Sequence, residues 1–258
     1  LQEREILLKE NPTIVVQSRT NPVHQSFFPN HTRKPWSDVR VRKAADLVID
    51  RQALVQIVAQ GEGEVGGFMP PGPWAIPQAE LLKLPGYRQP KDQDIAEAKK
   101  LLAEAGYPNG FKVNMITRGD IKFYGDQSVV VKDQLRQIGI DISIQLMETG
   151  AFYARQASTD FDVDGAGFGL AIADPDITFA ELFLTNAGAN WGKYSNPKID
   201  ELFVKQMQTM DPAERKKIVL DMQRILMDDY VRTVYYWSVY SAVHWPQVKN
   251  FVFGRCRS

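Results

Sequence analysis

Cysteine is nearly absent from this chain: Cys256 is the only one among 258 residues, so no internal disulfide can form and the redox compartment cannot be read from it. Histidine is scarce too. His24, His31 and His244 show no metal-ligand spacing, and isolated histidines are ordinarily surface or hydrogen-bonded core residues. Neither sign of charge is in excess, with 31 Lys and Arg against 31 Asp and Glu, so no overall field exists to hold nucleic acid or an acidic membrane surface. The basic cluster Arg33, Lys34, Arg40, Arg42 and Lys43 reads as a solvated helix flank. No run approaches the ~18 consecutive apolar residues of a membrane span.

The usual marks of catalysis are missing as well. Gly61-Glu62-Gly63-Glu64 puts acids where backbone amides alone must meet a phosphate. The stretch from Asp160 to Gly165 starts like a calcium loop, but its twelfth position is Ala171 instead of a bidentate acid. No Ser or Cys sits in a nucleophile elbow, and an acid pair such as Asp174 with Asp176 suits a binding domain equally well. No metal, no cofactor and no enzymatic activity are therefore expected.

What is present is ordinary globular composition, 44% hydrophobic and 24% charged. The lack of an initiator Met, with Gln2 to Glu10 reading as the end of a helix already under way, suggests a piece of a longer protein. Asn11-Pro12 stops that helix, and Thr13 to Ser18 reads as a strand. Asp38 caps a helix with Val41, Ala44, Ala45, Val48 and Ile49 at helical spacing, and Asp50 caps its continuation, Ala53 to Gln60. Residues 61 to 90 are Gly- and Pro-rich and lack periodicity. Strand and helix then alternate. A helical stripe from Ile95 to Ala105 leads to a strand from Phe111, a helix over Val129 to Ile138 and an alternating strand from Ile140 to Leu146. Gly150 to Ala157 reads as a short helix, Asp160 to Gly169 as one strand, and Thr178 to Leu184 as a helix. The last predicted elements are helices at Pro197 to Gln208 and Pro212 to Asp229, a long aromatic strand from Thr233 to His244, and a final strand from Val248 to Phe253. This pattern predicts a layered α/β fold.

Four local patterns carry a family resemblance. They are Pro35-Trp36-Ser37-Asp38-Val39-Arg40-Val41-Arg42-Lys43-Ala44 with Val48-Ile49-Asp50-Arg51 after it; Met69-Pro70-Pro71-Gly72-Pro73-Trp74; Ala98 to Phe111 with its Glu104-Ala105-Gly106-Tyr107-Pro108; and Tyr194-Ser195-Asn196-Pro197 followed by Asp211-Pro212-Ala213-Glu214-Arg215. Together they resemble the bacterial extracellular solute-binding proteins of family 5, the dipeptide, oligopeptide and nickel receptors of ABC importers. The resemblance implies a periplasmic-binding-protein-like lobe of the type II kind, an α/β fold with a mixed sheet flanked by helices, with residues 1–34 as a hinge-side segment, 35–245 as the ligand-binding lobe and 246–258 as an exit strand toward an amino-terminal lobe that would precede Leu1. It also implies a periplasmic or lipid-anchored extracellular protein that binds a small molecule or peptide and meets ABC permease subunits. A ligand-sensing domain of a transcription regulator is the alternative.

The resemblance further implies a ligand-contact stretch after the strand that begins at Asp160. Aligned with the family's cleft motif on Asp174-Pro175-Asp176, Phe168 takes the place of a Trp and Ala171 that of the Asp that holds a peptide's ammonium. An alanine cannot neutralise an amine, and an unpaired buried cation costs several kcal/mol. The segment with Phe168, Leu170, Ala171 and Ile172 therefore points to a ligand not anchored there by a free α-amine, with Asp174 either substituting or capping the next helix. Trp74, Phe152, Tyr153 and Trp191 are candidate stacking aromatics that core packing explains equally well. Arg118 follows a strand and suits a carboxylate; its plain alternative is a solvated loop arginine.

Overall fold

The computed structural model describes residues 2–251. In chain order, α1 (Gln2–Glu10) leads to the long strand β1 (Val15–Pro29), then α2 (Val39–Val48), α3 (Arg51–Ile57), the short strand β2 (Gly63–Glu64) and the single turn α4 (Gln78–Leu81). An alternating section follows: α5 (Asp92–Glu104), β3 (Phe111–Arg118), α6 (Lys122–Arg136), β4 (Ile140–Met147), α7 (Thr149–Ala157), β5 (Val163–Asp164) and β6 (Gly167–Gly169). Helices α8 (Pro175–Leu182), α9 (Pro197–Gln208) and α10 (Pro212–Asp228) precede the last strand, β7 (Thr233–His244).

The sheet is mixed, as the resemblance implies. Its order is β2-β7-β1-β5-β3-β4, with β6 also on β1; β3 runs parallel to β4 and β5, and the other pairs are antiparallel. Strand periodicity divides the apolar residues between its faces. Val113 and Met115 join Phe27, Trp36 and the buried stripes of α2, α5 and α6. Ile116, one residue on, instead meets Phe152 of α7 and Phe161. Helices α8, α9 and α10 close around Phe179, Phe203, Met222 and Trp237.

Three expectations need correction. The first strand does not stop at Ser18 but runs through Asn21-Pro22 to Pro29. Proline has no N–H to give, and the pairing with β7 slips between Thr20 and His24, so the ladder passes the gap while the Pro22 carbonyl accepts the Leu170 N–H at 2.8 Å. The single strand predicted from Asp160 to Gly169 is two. Asp164 turns its own carboxylate onto the Ala166 N–H (2.9 Å) and Thr117 Oγ1 donates to the Gly165 carbonyl, which makes a turn between β5 and β6. Lastly, residues 248–251 form no strand, and the rest of the predicted final strand lies outside the described residues.

Arg42 and Arg51, which carry part of the family resemblance, prove to be fasteners, and Asp94 is another. Arg42, largely buried, donates to the carbonyls of Trp36, Asp229 and Tyr230, and so ties α2 to the end of α10. Arg51 donates Nε to Val234 of β7, Nη1 to Gly86 and Nη2 to Asp46 at 2.6 Å, with its guanidinium 3.9 Å from the Tyr87 ring centre. Asp94, fully buried, accepts from the Gly86 N–H, Arg88 and Lys91 and pins the proline-rich loop. Each buried charge is hydrogen-bonded, which is the condition for tolerating it. Asp38 and Asp50 cap their helices as expected, and Asp211 caps α10.

Gly86 sits at φ +84°, and a Cβ there would lie 2.6 Å from Asp46 Oδ2. Gly86→Ala should therefore cost roughly 1–3 kcal/mol in backbone strain, and more from the displaced ion pair. A urea midpoint equal to that of the parent would refute this account. His31 gives a pH prediction. It bonds the Val231 carbonyl through Nε2, and its pKa falls to about 4, chiefly through burial and then through Arg42. The unfolded chain thus binds the His31 proton near 6.5 and the folded chain does not, so stability falls as pH drops from about 6.5 to 4. In His31→Gln this share of the loss should vanish, seen as a narrowing melting-temperature gap between parent and variant on acidification.

Candidate functional site

In an open α/β sheet, ligands gather outside the carboxyl ends of the parallel strands. Here those ends are Arg118 of β3, Met147 of β4 and Asp164 of β5, together with the first turns of α6 and α7. The two helix starts differ. Glu148 caps α7 itself, taking the N–H groups of Gly150 and Ala151, whereas Ile121 at the head of α6 offers no side-chain cap. An uncapped first turn favours negative charge. Arg118 stands beside it: Nε donates to Thr149 Oγ1 (2.9 Å), lies 3.7 Å from Asp120, and the guanidinium carbon is 5.5 Å and 5.7 Å from the rings of Tyr124 and Tyr153.

Next to Arg118 an open hollow of about 490 Å³ lies over the middle of β1 and β7, lined by Val23, Gln25, Tyr124, Tyr236, Ser238 and Tyr240 among others. That volume suits a small solute. A second cavity of about 90 Å³ between Asp46, Tyr87, Met227 and Tyr230 has room for a few waters only.

The residues expected to meet a ligand fall into three places. Arg118 and Tyr153 share the strand-end region, Tyr153 half exposed, while its neighbour Phe152 is buried in the core against Ile116 and Phe161. Phe168 and Trp191 form an edge-to-face pair at 5.8 Å, with Leu170 buried beneath the crossing of β1 and with Ala171 and Ile172 exposed. Trp74 and Asp174 meet elsewhere, through Arg215, whose guanidinium is 4.8 Å from the Trp74 ring and 3.4 Å from Asp174, which also caps α8.

Behind Phe168 lies a row of buried polar groups that the sequence did not flag. Arg232 is 4% exposed; its guanidinium lies 3.8 Å from the Phe28 ring, and Nη1 donates to His24 Nε2 at 3.2 Å. That bond fixes His24 as the Nδ1–H tautomer, and burial, then Arg232, push its pKa well below the usual value. Burial lowers Arg232 to about 10, partly offset by Asp164, and raises Asp164 to about 6 against its bonds with Gln156 and Ala166. The signal available was an arginine heading a strand buried from Thr233 to Ser238. Gln25 and Tyr124 carried none. Among the described residues no group of three or more His, Cys, Asp or Glu is placed to hold a metal.

Comparison with known proteins agrees with this architecture. The Helicobacter pylori periplasmic binding protein DppA, solved with the peptide STSA, superposes with a TM-score of 0.79 at 26% identity, over 96% of this chain and 48% of that one. Haemophilus influenzae OppA, solved with RPPGFSPFR, shares the fold with a TM-score of 0.76. The glutathione-binding protein GsiB of Escherichia coli (strain K12) is 27% identical over 240 residues, covering 88% of this chain and 44% of that protein. The chain thus spans about half the length of the curated relatives it matches. The family model described as "Bacterial extracellular solute-binding proteins, family 5 Middle" matches residues 2–191, and the chain belongs to that family.

Proposed function

We propose that the chain is the ligand-binding lobe of a non-catalytic receptor that captures a small solute and delivers it to the permease subunits of an ABC importer, in the periplasm or tethered outside the membrane. The lobe is built on the sheet that runs from β1 to β7, so the segment expected on the hinge side supplies its central strand, and closure against a second lobe encloses the solute. The carrying observation is the juxtaposition of Arg118, the uncapped start of α6 and the solute-sized hollow at the carboxyl end of the parallel strands, in a chain of the solute-binding family.

The chemistry of the strand ends narrows the solute. The exposed run Ala171 to Ala173 carries no acid, and Asp174 is committed to α8 and Arg215, so a free α-amine finds no carboxylate there. Arg118 and the α6 amides supply the opposite complement, a place for a carboxylate. Tyr124, Tyr236 and Tyr240 supply the walls of the hollow, with Tyr153 beside Arg118. Relatives solved with peptides keep peptides within the solute class, with N-blocked or amine-free acids favoured.

A thermal-shift screen of the full-length receptor against di- and tripeptides, their N-acetyl forms and aromatic acids tests the reading, because a ligand at 100 times its Kd stabilises by about 2.7 kcal/mol. Amine-free acids should raise the melting temperature, and Arg118→Gln should weaken them about 10- to 100-fold, the worth of a charge-assisted bond. Shifts confined to peptides with free amines would overturn the inference from Ala171.

A further inference from the structure

Gln25 is buried to within 3% of full enclosure, yet its Oε1 has no hydrogen-bond partner. Its Nε2 donates to Ser238 Oγ at 3.3 Å across the β1–β7 pair, which fixes the plane of the amide and leaves the oxygen to one side. Leaving a buried acceptor unpaired destabilises the fold, a loss recovered when a donor arrives. The residue lines the hollow of about 490 Å³, where the other polar groups are the hydroxyls of Tyr124, Tyr236, Ser238 and Tyr240, with Gln60 and Glu62 also in the lining and the Glu62 carboxylate accepting from Ser241 Oγ at 3.1 Å. Of these, Tyr236 already donates to Gln127 Oε1.

The neighbouring strand is shaped around this amide. In β6 the residues alternate Gly167-Phe168-Gly169, with Gln25 opposite Gly167 and Val23 opposite Gly169. Phe168 turns to His24 and Trp191 on one face, and the glycines leave the hollow's face bare. A Cβ on Gly167 would stand 2.5 Å from Gln25 Oε1, so any side chain there would displace the amide. Gly167 has no left-handed φ to demand glycine. What the position requires is room.

We propose that Gln25 Oε1 is a specificity-determining acceptor for the transported solute: the hollow takes an uncharged group bearing an N–H or O–H donor on a flat body that stacks against the tyrosines. This rests on the receptor reading above and adds a second recognition point to the carboxylate place at Arg118. Gly167 is a positioning residue for the acceptor.

Benzamide and N,N-dimethylbenzamide, which share ring and carbonyl but differ in the N–H donor, separate the idea from simple stacking. Titrated by ligand-observed NMR into the full-length receptor, benzamide should bind about tenfold more tightly than its dimethyl analogue. Gln25→Leu should bring that ratio close to one through loss of benzamide alone. Gly167→Ala should reduce it with the unliganded melting temperature nearly unchanged, and it carries the test should Gln25→Leu fail to fold. Arg118→Gln should leave the ratio intact. A ratio near one in the parent, or one that survives both Gln25→Leu and Gly167→Ala, overturns the proposal. If acids from the screen still bind and still need Arg118, the receptor reading stands while this one falls; if the benzamide ratio holds but no acid, peptide or other solute stabilises the receptor, the receptor reading falls instead.

Discussion

The pairing of β1 with β7 is the constraint on which the rest depends. It joins residues more than two hundred positions apart, such as Gln25 and Ser238, and every other part of the molecule is referred to it. On one side β1 receives β5 and β6, which connect it to the parallel strands; on the other β7 receives β2, and through the Trp237 indole it bonds the Gly67 carbonyl. Arg51 reaches the backbone of the same strand at Val234. The entropy of closing so long a loop grows only slowly with length, so the pairing costs little more than a short one once its many ladder bonds and flanking cores form.

This explains which parts could be read from the sequence. Helices α2, α3, α5, α9 and α10 were legible because their signals are local: a capping Asp or Asn, a stripe at helical spacing, a glycine or proline at the end. The course of β1 past Pro22 was not, because the ladder slip that accommodates a missing N–H is dictated by β7, far away in the chain. The break between β5 and β6 was equally hidden, since it depends on where the Asp164 side chain finds its donors. At the candidate site Arg118 was visible as a charge at a strand end, and Phe168 through the family pattern. Gln25 and Tyr124 looked like any polar or aromatic residue, and become site residues only when β1, β6, β7 and α6 converge. Trp74 and Asp174 stood out individually, but their tie through Arg215 is a tertiary fact.

The residues that fasten the fold and the residues placed to choose a solute form separate sets. Arg42, Asp46, Arg51 and Asp94 hold carbonyls, a glycine loop and one another, and removing a single partner would leave a buried charge uncompensated at several kcal/mol. They are bound to the fold whatever the protein transports. Arg118, Gln25, Tyr153 and Ala171 are under no such obligation. Arg118 is already balanced by Asp120, and the orphaned Gln25 oxygen is a cost to the unliganded fold.

Selectivity on such a frame changes without endangering it, and Ala171 shows how. A carboxylate at an exposed strand end would cost the fold little, and its replacement by a methyl group spares the fold equally. What the exchange alters is the field met by an incoming molecule: an ammonium loses its partner at this strand end. Arg118 and the α6 amides then orient the solute, with its acid toward the strand ends and away from Glu62, and its uncharged donor toward Gln25 and the tyrosines.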